Sequence, residues 1–115
     1  MAKADANGIQ IEYETFGDKT SPTLLLIIGL GGQLIHWQKK FCQKIADAGY
    51  HVIRYDNRDV GLSTKIEGID RDEIMEKIMA FYSGQNVTPP YTIEDMADDA
   101  AGLLDVLGID EAHIC

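Results

Sequence analysis

Apolar residues fall along this chain in three distinct rhythms. Residues 9–16 (IQIEYETF) alternate, with Ile9, Ile11, Tyr13 and Thr15 facing one way and Gln10, Glu12, Glu14 and Phe16 the other. A period of two predicts a strand with one wetter face, at a sheet edge or in a hairpin. Residues 23–28 (TLLLII) are apolar on both faces, as expected of a strand in a parallel sheet covered by helices on either side. After Gly29, Gly31 and Gly32, the residues Leu34, Trp37, Phe41, Ile45 and Ala48 recur at three- and four-residue spacing. They predict one amphipathic helix, with Gly49 as the left-handed residue that closes it. Residues 51–55 (HVIRY) then supply a second parallel strand, completing a right-handed strand–helix–strand unit.

The stretches between these segments are less regular. Residues 1–8 read as a loose lead-in ending in the turn pair Asn7-Gly8, and residues 17–22 (GDKTSP) as a second turn. Residues 56–63 (DNRDVGLS) form a loop after the second parallel strand, where α/β proteins carry functional groups. Ile74, Ile78 and Phe81 or Tyr82 outline a short helix beginning after Asp70 and broken by Gly84, Pro89 and Pro90. The pattern leaves open whether that helix joins the core or leans over a cleft. Thr92 can cap a final helix, with Asp95 at N3 and further acids in its amino-terminal half, where the helix dipole favours them. Its buried face would be Ile93, Met96, Ala97, Ala100, Leu103, Leu104 and Leu107, with Gly108 as terminator. Residues 112–115 begin a third parallel strand that stops short of the usual length. The expected fold is therefore α/β, a three-layer αβα arrangement around a mostly parallel sheet. It forms one domain over residues 1–115 and is incomplete.

Composition narrows the function. Hydrophobic residues make up 45% of the chain, as a folded domain needs. Lys and Arg number 10 against 19 Asp and Glu, a net charge of -9. That balance does not suit displacing counterions from nucleic acid, so no nucleic-acid partner is expected. The first residues, MAKADANG, lack the apolar stretch of a signal peptide, and the longest apolar run is too short to span a bilayer. A cytoplasmic protein without a membrane partner is the expectation. Cys42 and Cys115 form no redox or metal spacing, and His36, His51 and His113 form no ligand set, so no metal is expected.

The glycine turn is the strongest chemical feature. Gly29, Gly31 and Gly32 after a buried strand let the backbone turn sharply and approach a ligand. Exposed amides at the mouth of a following helix would form an anion-binding site. A dinucleotide site is a rival use, since Gly29-Leu30-Gly31 and Asp56 imitate its fingerprint. The third glycine position, however, is occupied by Leu34, and Asp56 lies beyond the usual interval. His36 and Trp37, just after the turn, are candidates for lining a substrate pocket, and His36 has no identifiable nucleophile to serve as a base. Ser63 stands in no nucleophile-elbow sequence. Cys42 reads as a small helix residue, Cys115 as a buried strand residue, and Met75 and Met79 as packing residues before cleft-lining ones.

Three runs carry a family resemblance: LLLIIGLGGQLIHWQ (24–38), YDNRDVGLS (55–63) and TIEDMADDAAGLLDVLGIDEAHIC (92–115). Together they resemble the start of the α/β-hydrolase fold, in its esterase, lactonase and proline-iminopeptidase-like branch. The Asp-x-Arg-Asp form of the loop resembles the methylesterases that act on polyketide antibiotics. The resemblance implies that the backbone N–H of Leu30 is one oxyanion-hole donor, supported by Gly29, Gly31, Gly32 and Arg58. Ile28 stands where the family commonly has histidine, and Asp59 where the family loop has glycine. The resemblance further implies a serine hydrolase without a cofactor, acting on a small-molecule ester or amide. Its nucleophile elbow, acid and histidine would follow residue 115. The remainder of the hydrolase polypeptide would then be the chain's partner, and residues 1–115 alone would be inactive. Two other classes remain open, a dinucleotide-binding oxidoreductase domain and a non-catalytic interaction module of the same fold.

Overall fold

In the computed structural model, which describes residues 1–66 and 71–115, the sheet has five strands in the order β1-β2-β4-β3-β5. The strands are β1 (Ala2–Ala6), β2 (Ile9–Phe16), β3 (Thr23–Leu26), β4 (His51–Tyr55) and β5 (His113–Ile114). The helices among the described residues are α1 (Lys39–Asp47), α2 (Arg71–Tyr82) and α3 (Ile93–Val106), with a 3-10 turn at Leu34–His36. The pairs β3–β4 and β3–β5 are parallel, while β1–β2 and β2–β4 are antiparallel. The sheet is therefore mixed, with the parallel strands β4, β3 and β5 side by side and only β2 running against the other four.

Helices cover both faces. On one side, Cys42 of α1 meets Leu26 and Val52, with Trp37, Ile45 and Ala46 packed around them. On the other, Ala100 and Leu103 of α3 meet Ala4, Ile11, Leu25 and Ile53. Ile11, Leu25, Leu26, Val52, Ile53 and Leu103 are fully buried, and each large apolar side chain so placed contributes about 1.5–3 kcal/mol. The TLLLII segment is thus protected between β4 and β5, although its regular strand ends at Leu26.

Four expectations need correction. Residues 2–6 are not a lead-in but an edge strand, joined to β2 by Asn7 and Gly8, whose φ values of 50° and 79° suit a tight hairpin. Their alternating alanines bury too little area to signal a strand, yet Ala4 and Ala6 are small enough to let α3 lie close. Second, neither face of β2 is the wetter one, since Glu12 is buried and Phe16 packs toward α1 while Thr15, on the expected apolar face, is exposed.

Third, the helix expected from Leu34 to Ala48 is broken. The 3-10 turn ends at Trp37, Gln38 is extended (φ -58°, ψ 141°), and only then does α1 begin. Arg54, reaching from β4, donates from Nη1 to the carbonyl oxygens of both Leu34 and Trp37. Leu34 O also accepts from Trp37 N–H within the turn, so Arg54 secures the carbonyls of a segment that the extended Gln38 divides from α1. Phe41 and Ala48 face solvent as a result, and Cys42 takes the buried position. Fourth, on α3 the expected core residues Ile93 and Ala97 are exposed while Asp99 is buried. The expected capping box is present, with Thr92 Oγ1 accepting from Asp95 N–H and Asp95 Oδ2 accepting from Thr92 N–H.

Candidate functional site

The glycine turn follows the carboxyl end of β3. Up to Ile27 the chain is held by the sheet, with Ile27 N–H donating to Cys115 O at 2.7 Å and Cys115 N–H to Leu25 O at 3.0 Å. Gly32 N–H then donates to Gly29 O at 3.0 Å, closing a four-residue turn. Gly31, its third residue, has φ 74°, the sign a type II turn demands there. Gly32 is required by space, since a Cβ would stand 2.3 Å from Ile28 Cγ1.

This closure dictates where the next amide points. A peptide unit is planar and trans, so its C=O and N–H point in opposite directions. Gly29 O is turned into the turn to meet Gly32, so the N–H of Leu30, on the same peptide unit, is directed out of it. Among the described residues that N–H makes no hydrogen bond, and the Leu30 side chain is fully exposed. An outward, unsatisfied amide at the end of an interior strand can receive a charged oxygen.

The loop after β4 braces this turn through residues that sequence reasoning missed. Asn57, buried, donates from Nδ2 to Ile28 O at 3.0 Å. Asp56, also buried, accepts from Leu34 N–H at 2.7 Å with Oδ1 and from Leu62 N–H at 2.9 Å with Oδ2. Gly61 (φ 55°) lies over that carboxylate, where a Cβ would come within 2.2 Å of Oδ2. The amide that would open an anion-binding helix after the glycines, that of Leu34, is therefore already taken. This weighs against a dinucleotide pyrophosphate on the turn, which needs that helix terminus.

Arg58 points elsewhere. Its Nε donates to Asp99 Oδ2 at 2.7 Å and its Nη2 to Asp99 Oδ1 at 2.8 Å, a fork that joins the loop to α3. Asn7 Nδ2 adds a third bond to Asp99 Oδ1 at 2.9 Å. Hydrogen bonding to Asp99 raises the Arg58 pKa further, against the opposing effect of burial. The Tyr91 ring lies against the guanidinium at 5.1 Å. Tyr91 is pushed up to about 12 by burial first and by its hydrogen bond to Asp59 second. Asp59 takes φ 67° at the position where the resembling loop has glycine, and its Oδ1 accepts from Ile66 N–H at 2.5 Å. Tyr91 is also one wall of an apolar groove of about 550 Å³ between α2 and residues 87–91, lined by Ile74, Ile78, Phe81, Val87 and Pro90. Met75 and Met79, on the same helix, are exposed.

The other sequence candidates occupy structural positions. His36 is exposed, and its Nδ1 accepts from Gln33 N–H at 2.9 Å, so it caps the 3-10 turn. Trp37 stacks on Phe41 with ring centroids 5.7 Å apart and packs on the α1 side of the core. Ser63 Oγ donates to Asp56 O at 2.7 Å and accepts from Glu12 N–H at 3.0 Å, which uses both roles of the hydroxyl. Cys42 is buried with its thiol pKa raised, chiefly by that burial, whereas Cys115 is exposed. His51 is buried at the start of β4, Nδ1 3.3 Å from Thr23 Oγ1, with its pKa lowered by burial and then by Lys19.

Asn57 and Tyr91 carried no sequence signal. Arg54 and Asp99 did: a cation inside a doubly covered strand and an acid one turn before Leu103 on the buried helix face both demand partners. Among the described residues no group of three or more His, Cys, Asp or Glu could hold a metal ion, and no helix is long and apolar enough to cross a membrane.

No family model matches the chain. Among curated proteins it is 32% identical over 101 residues to the rhodomycin D methylesterase DauP of Streptomyces sp. strain C5, covering 88% of this chain and 28% of that protein. It is 31% identical over 112 residues to the 3-oxoadipate enol-lactonase 2 of Acinetobacter baylyi, covering 96% of this chain and 33% of the relative. Among solved structures, the enol-lactonase from Burkholderia xenovorans LB400 superposes with a TM-score of 0.71 at 27% identity, covering 99% of this chain and 36% of that one. Epoxide hydrolase A from Mycobacterium thermoresistibile gives 0.73 at 26% identity, covering 98% and 29%. The chain thus spans about a third or less of the length of these relatives.

Proposed function

Because the chain belongs to the α/β-hydrolase family, we propose that the complete protein hydrolyses a small-molecule carboxylic ester or related acyl compound by serine nucleophilic catalysis. In this reading residues 1–115 are the amino-terminal part of the core domain, and β5 is the strand that leads to the nucleophile turn. The serine, its histidine and the acid come from the rest of the polypeptide. The serine attacks the carbonyl carbon, the histidine takes the serine proton and returns it to the leaving alcohol, and water then releases the acid. The Leu30 N–H receives the negative charge that develops on the carbonyl oxygen, which a well-aimed amide stabilises by about 2.7–4 kcal/mol. No step of this sequence requires a cofactor.

The observation that carries the reading is the turn at residues 29–32, which holds the Gly29 carbonyl inward and leaves the Leu30 N–H outward. The names of the relatives support the substrate class, since they include methylesterases and an enol-lactonase. They also include an epoxide hydrolase, which makes epoxide opening the second reading. The test is to express the complete reading frame and residues 1–115 separately, and to assay both with aryl esters and a fluorophosphonate probe. The complete protein should turn over esters and take up the probe, and the shorter chain should do neither. Epoxide opening without ester turnover or labelling would replace the serine reading with the second one.

A further inference from the structure

We infer that Asn57 is a positioning residue that sets the aim of the Leu30 amide, an inference that rests on the proposed oxyanion role of that amide. Three of the four peptide units between Leu26 and Leu30 decide the matter. The unit before Ile27 is fixed by the sheet through Cys115 O. The unit joining Ile28 to Gly29 is fixed through its carbonyl by Asn57 Nδ2 at 3.0 Å. The unit joining Gly29 to Leu30 is fixed through its carbonyl by Gly32 N–H.

The third bond lies within the turn, so it keeps the turn closed without telling it which way to face. Gly29 is free in φ and ψ and has nothing within 4 Å of where a Cβ would stand. Asp56 anchors the chain beyond the turn through Leu34 N–H, so the facing of the closed turn is settled only when the unit before Gly29 is held as well. Among the described residues, Asn57 is the only side chain that hydrogen-bonds to residues 28–32.

Asn57 is itself well held. It is 7% exposed, and its carbonyl accepts from Val60 N–H at 3.1 Å. It follows Asp56, whose N–H donates to Glu12 O at 3.0 Å and whose carboxylate clasps Leu34 and Leu62. A carbonyl partner also settles the orientation of the Asn57 amide, since only its NH₂ group can donate to Ile28 O. Arg58, the neighbour that the family resemblance made the support, is engaged with Asp99 instead. The device resides in the side chain one position earlier.

A positioning role differs measurably from a merely structural one. In the complete protein, Asn57→Leu removes the donor at similar volume. It should lower kcat about tenfold or more with KM changed less than about twofold, because the misaimed amide matters only once the oxyanion forms. Binding of an alkyl boronic acid, which forms a tetrahedral adduct with the serine, should weaken in parallel, while a non-hydrolysable substrate-like amide binds as before. Asn57→Gln, which keeps a donor, should recover part of kcat. If Asn57→Leu does not accumulate as folded protein, Asn57→Asp, the same shape without a donor when ionised, serves in its place.

An unchanged kcat in a variant that has lost thermal stability would overturn the role of Asn57 and leave the hydrolase reading intact. A rise in KM alone would overturn that role in the same way. Absence of both ester turnover and fluorophosphonate labelling in the unmutated protein would remove the hydrolase reading, and this inference with it.

Discussion

Arg58 and Asp99 meet as a two-bond fork, Nε to Oδ2 at 2.7 Å and Nη2 to Oδ1 at 2.8 Å, with side chains only 10% and 3% exposed. A charged pair so withdrawn from water is costly to break from one side, because the remaining ion keeps its desolvation without its partner. Asp99→Ala should therefore destabilise the protein by about 3 kcal/mol. The double variant Arg58→Met/Asp99→Leu should lose clearly less than the sum of its two single variants. Urea unfolding of the four proteins measures this, and additive losses would show that the fork contributes no coupling.

Glu14 supplies a pH dependence. Burial alone would raise its pKa, but hydrogen bonding and charge from Arg54, with a smaller part from Lys39, bring it below 4.5. A carboxyl group lowered on folding stabilises the native state above its unfolded pKa, and that stabilisation is lost as pH falls through the folded value. Unfolding free energy should thus decline as pH drops below about 4.5. Glu14→Gln should be less stable than the parent at neutral pH and converge on it in acid. A constant gap between the two proteins across that range would contradict the assignment.

How far the sequence carried depended on what kind of force placed each residue. Strands β3 and β4, the capping box of α3 and the glycine closures at Gly49 and Gly108 were legible because burial and turn chemistry leave periodic or local marks. Strand β1 was missed because alanine marks burial too weakly, although its small side chain is what admits α3. The break at Trp37 and Gln38 was missed because Arg54, which binds the carbonyls beside it, lies on another strand. At the site, the glycine turn and its supporting loop were visible, with Arg58 expected as support, but the direct contacts of Asn57 and Asp56 with the turn were not. Which of several neighbouring polar residues turns inward depends on the path of the loop, and spacing does not encode that path.

Tyr91 offers a spectroscopic check on the loop. Burial, followed by the hydrogen bond to Asp59, pushes its hydroxyl up to about 12. Tyr91→Phe keeps a ring beside Arg58 and deletes that bond. The alkaline absorbance titration should lose part of the phenolate signal that develops near pH 12. If the lost signal titrates near pH 10, the ordinary phenol range, Tyr91 is not enclosed by the loop.

Gly61 tests the Asp56 cradle. With φ 55° and a would-be Cβ 2.2 Å from Asp56 Oδ2, Gly61→Ala must move the carboxylate that holds Leu34 and Leu62. The expected loss is about 1–3 kcal/mol, comprising backbone strain and weakened hydrogen bonds. Gly84, also at positive φ but with nothing within 4 Å, is the control, since its alanine variant suffers strain alone. Equal losses at both positions would mean that the Asp56 contact contributes nothing.

The oxyanion role of Leu30 can be separated from every role of its side chain. That side chain is fully exposed, so Leu30→Ala should leave kcat of the complete protein close to that of the parent. Leu30→Pro deletes the N–H and little else. Leu30 is the second residue of the turn closed by Gly32 N–H to Gly29 O, the position that proline favours in type II turns. The residue before it is glycine, which tolerates the restriction proline imposes on its predecessor. The turn should therefore persist without its outward donor, and kcat should fall about 10²–10³-fold with fluorophosphonate labelling slowed in proportion. A Leu30→Pro protein that unfolds at the parent temperature and turns over ester at the parent rate would place the oxyanion elsewhere. The glycine turn would then be a strand-to-helix connection without a catalytic task.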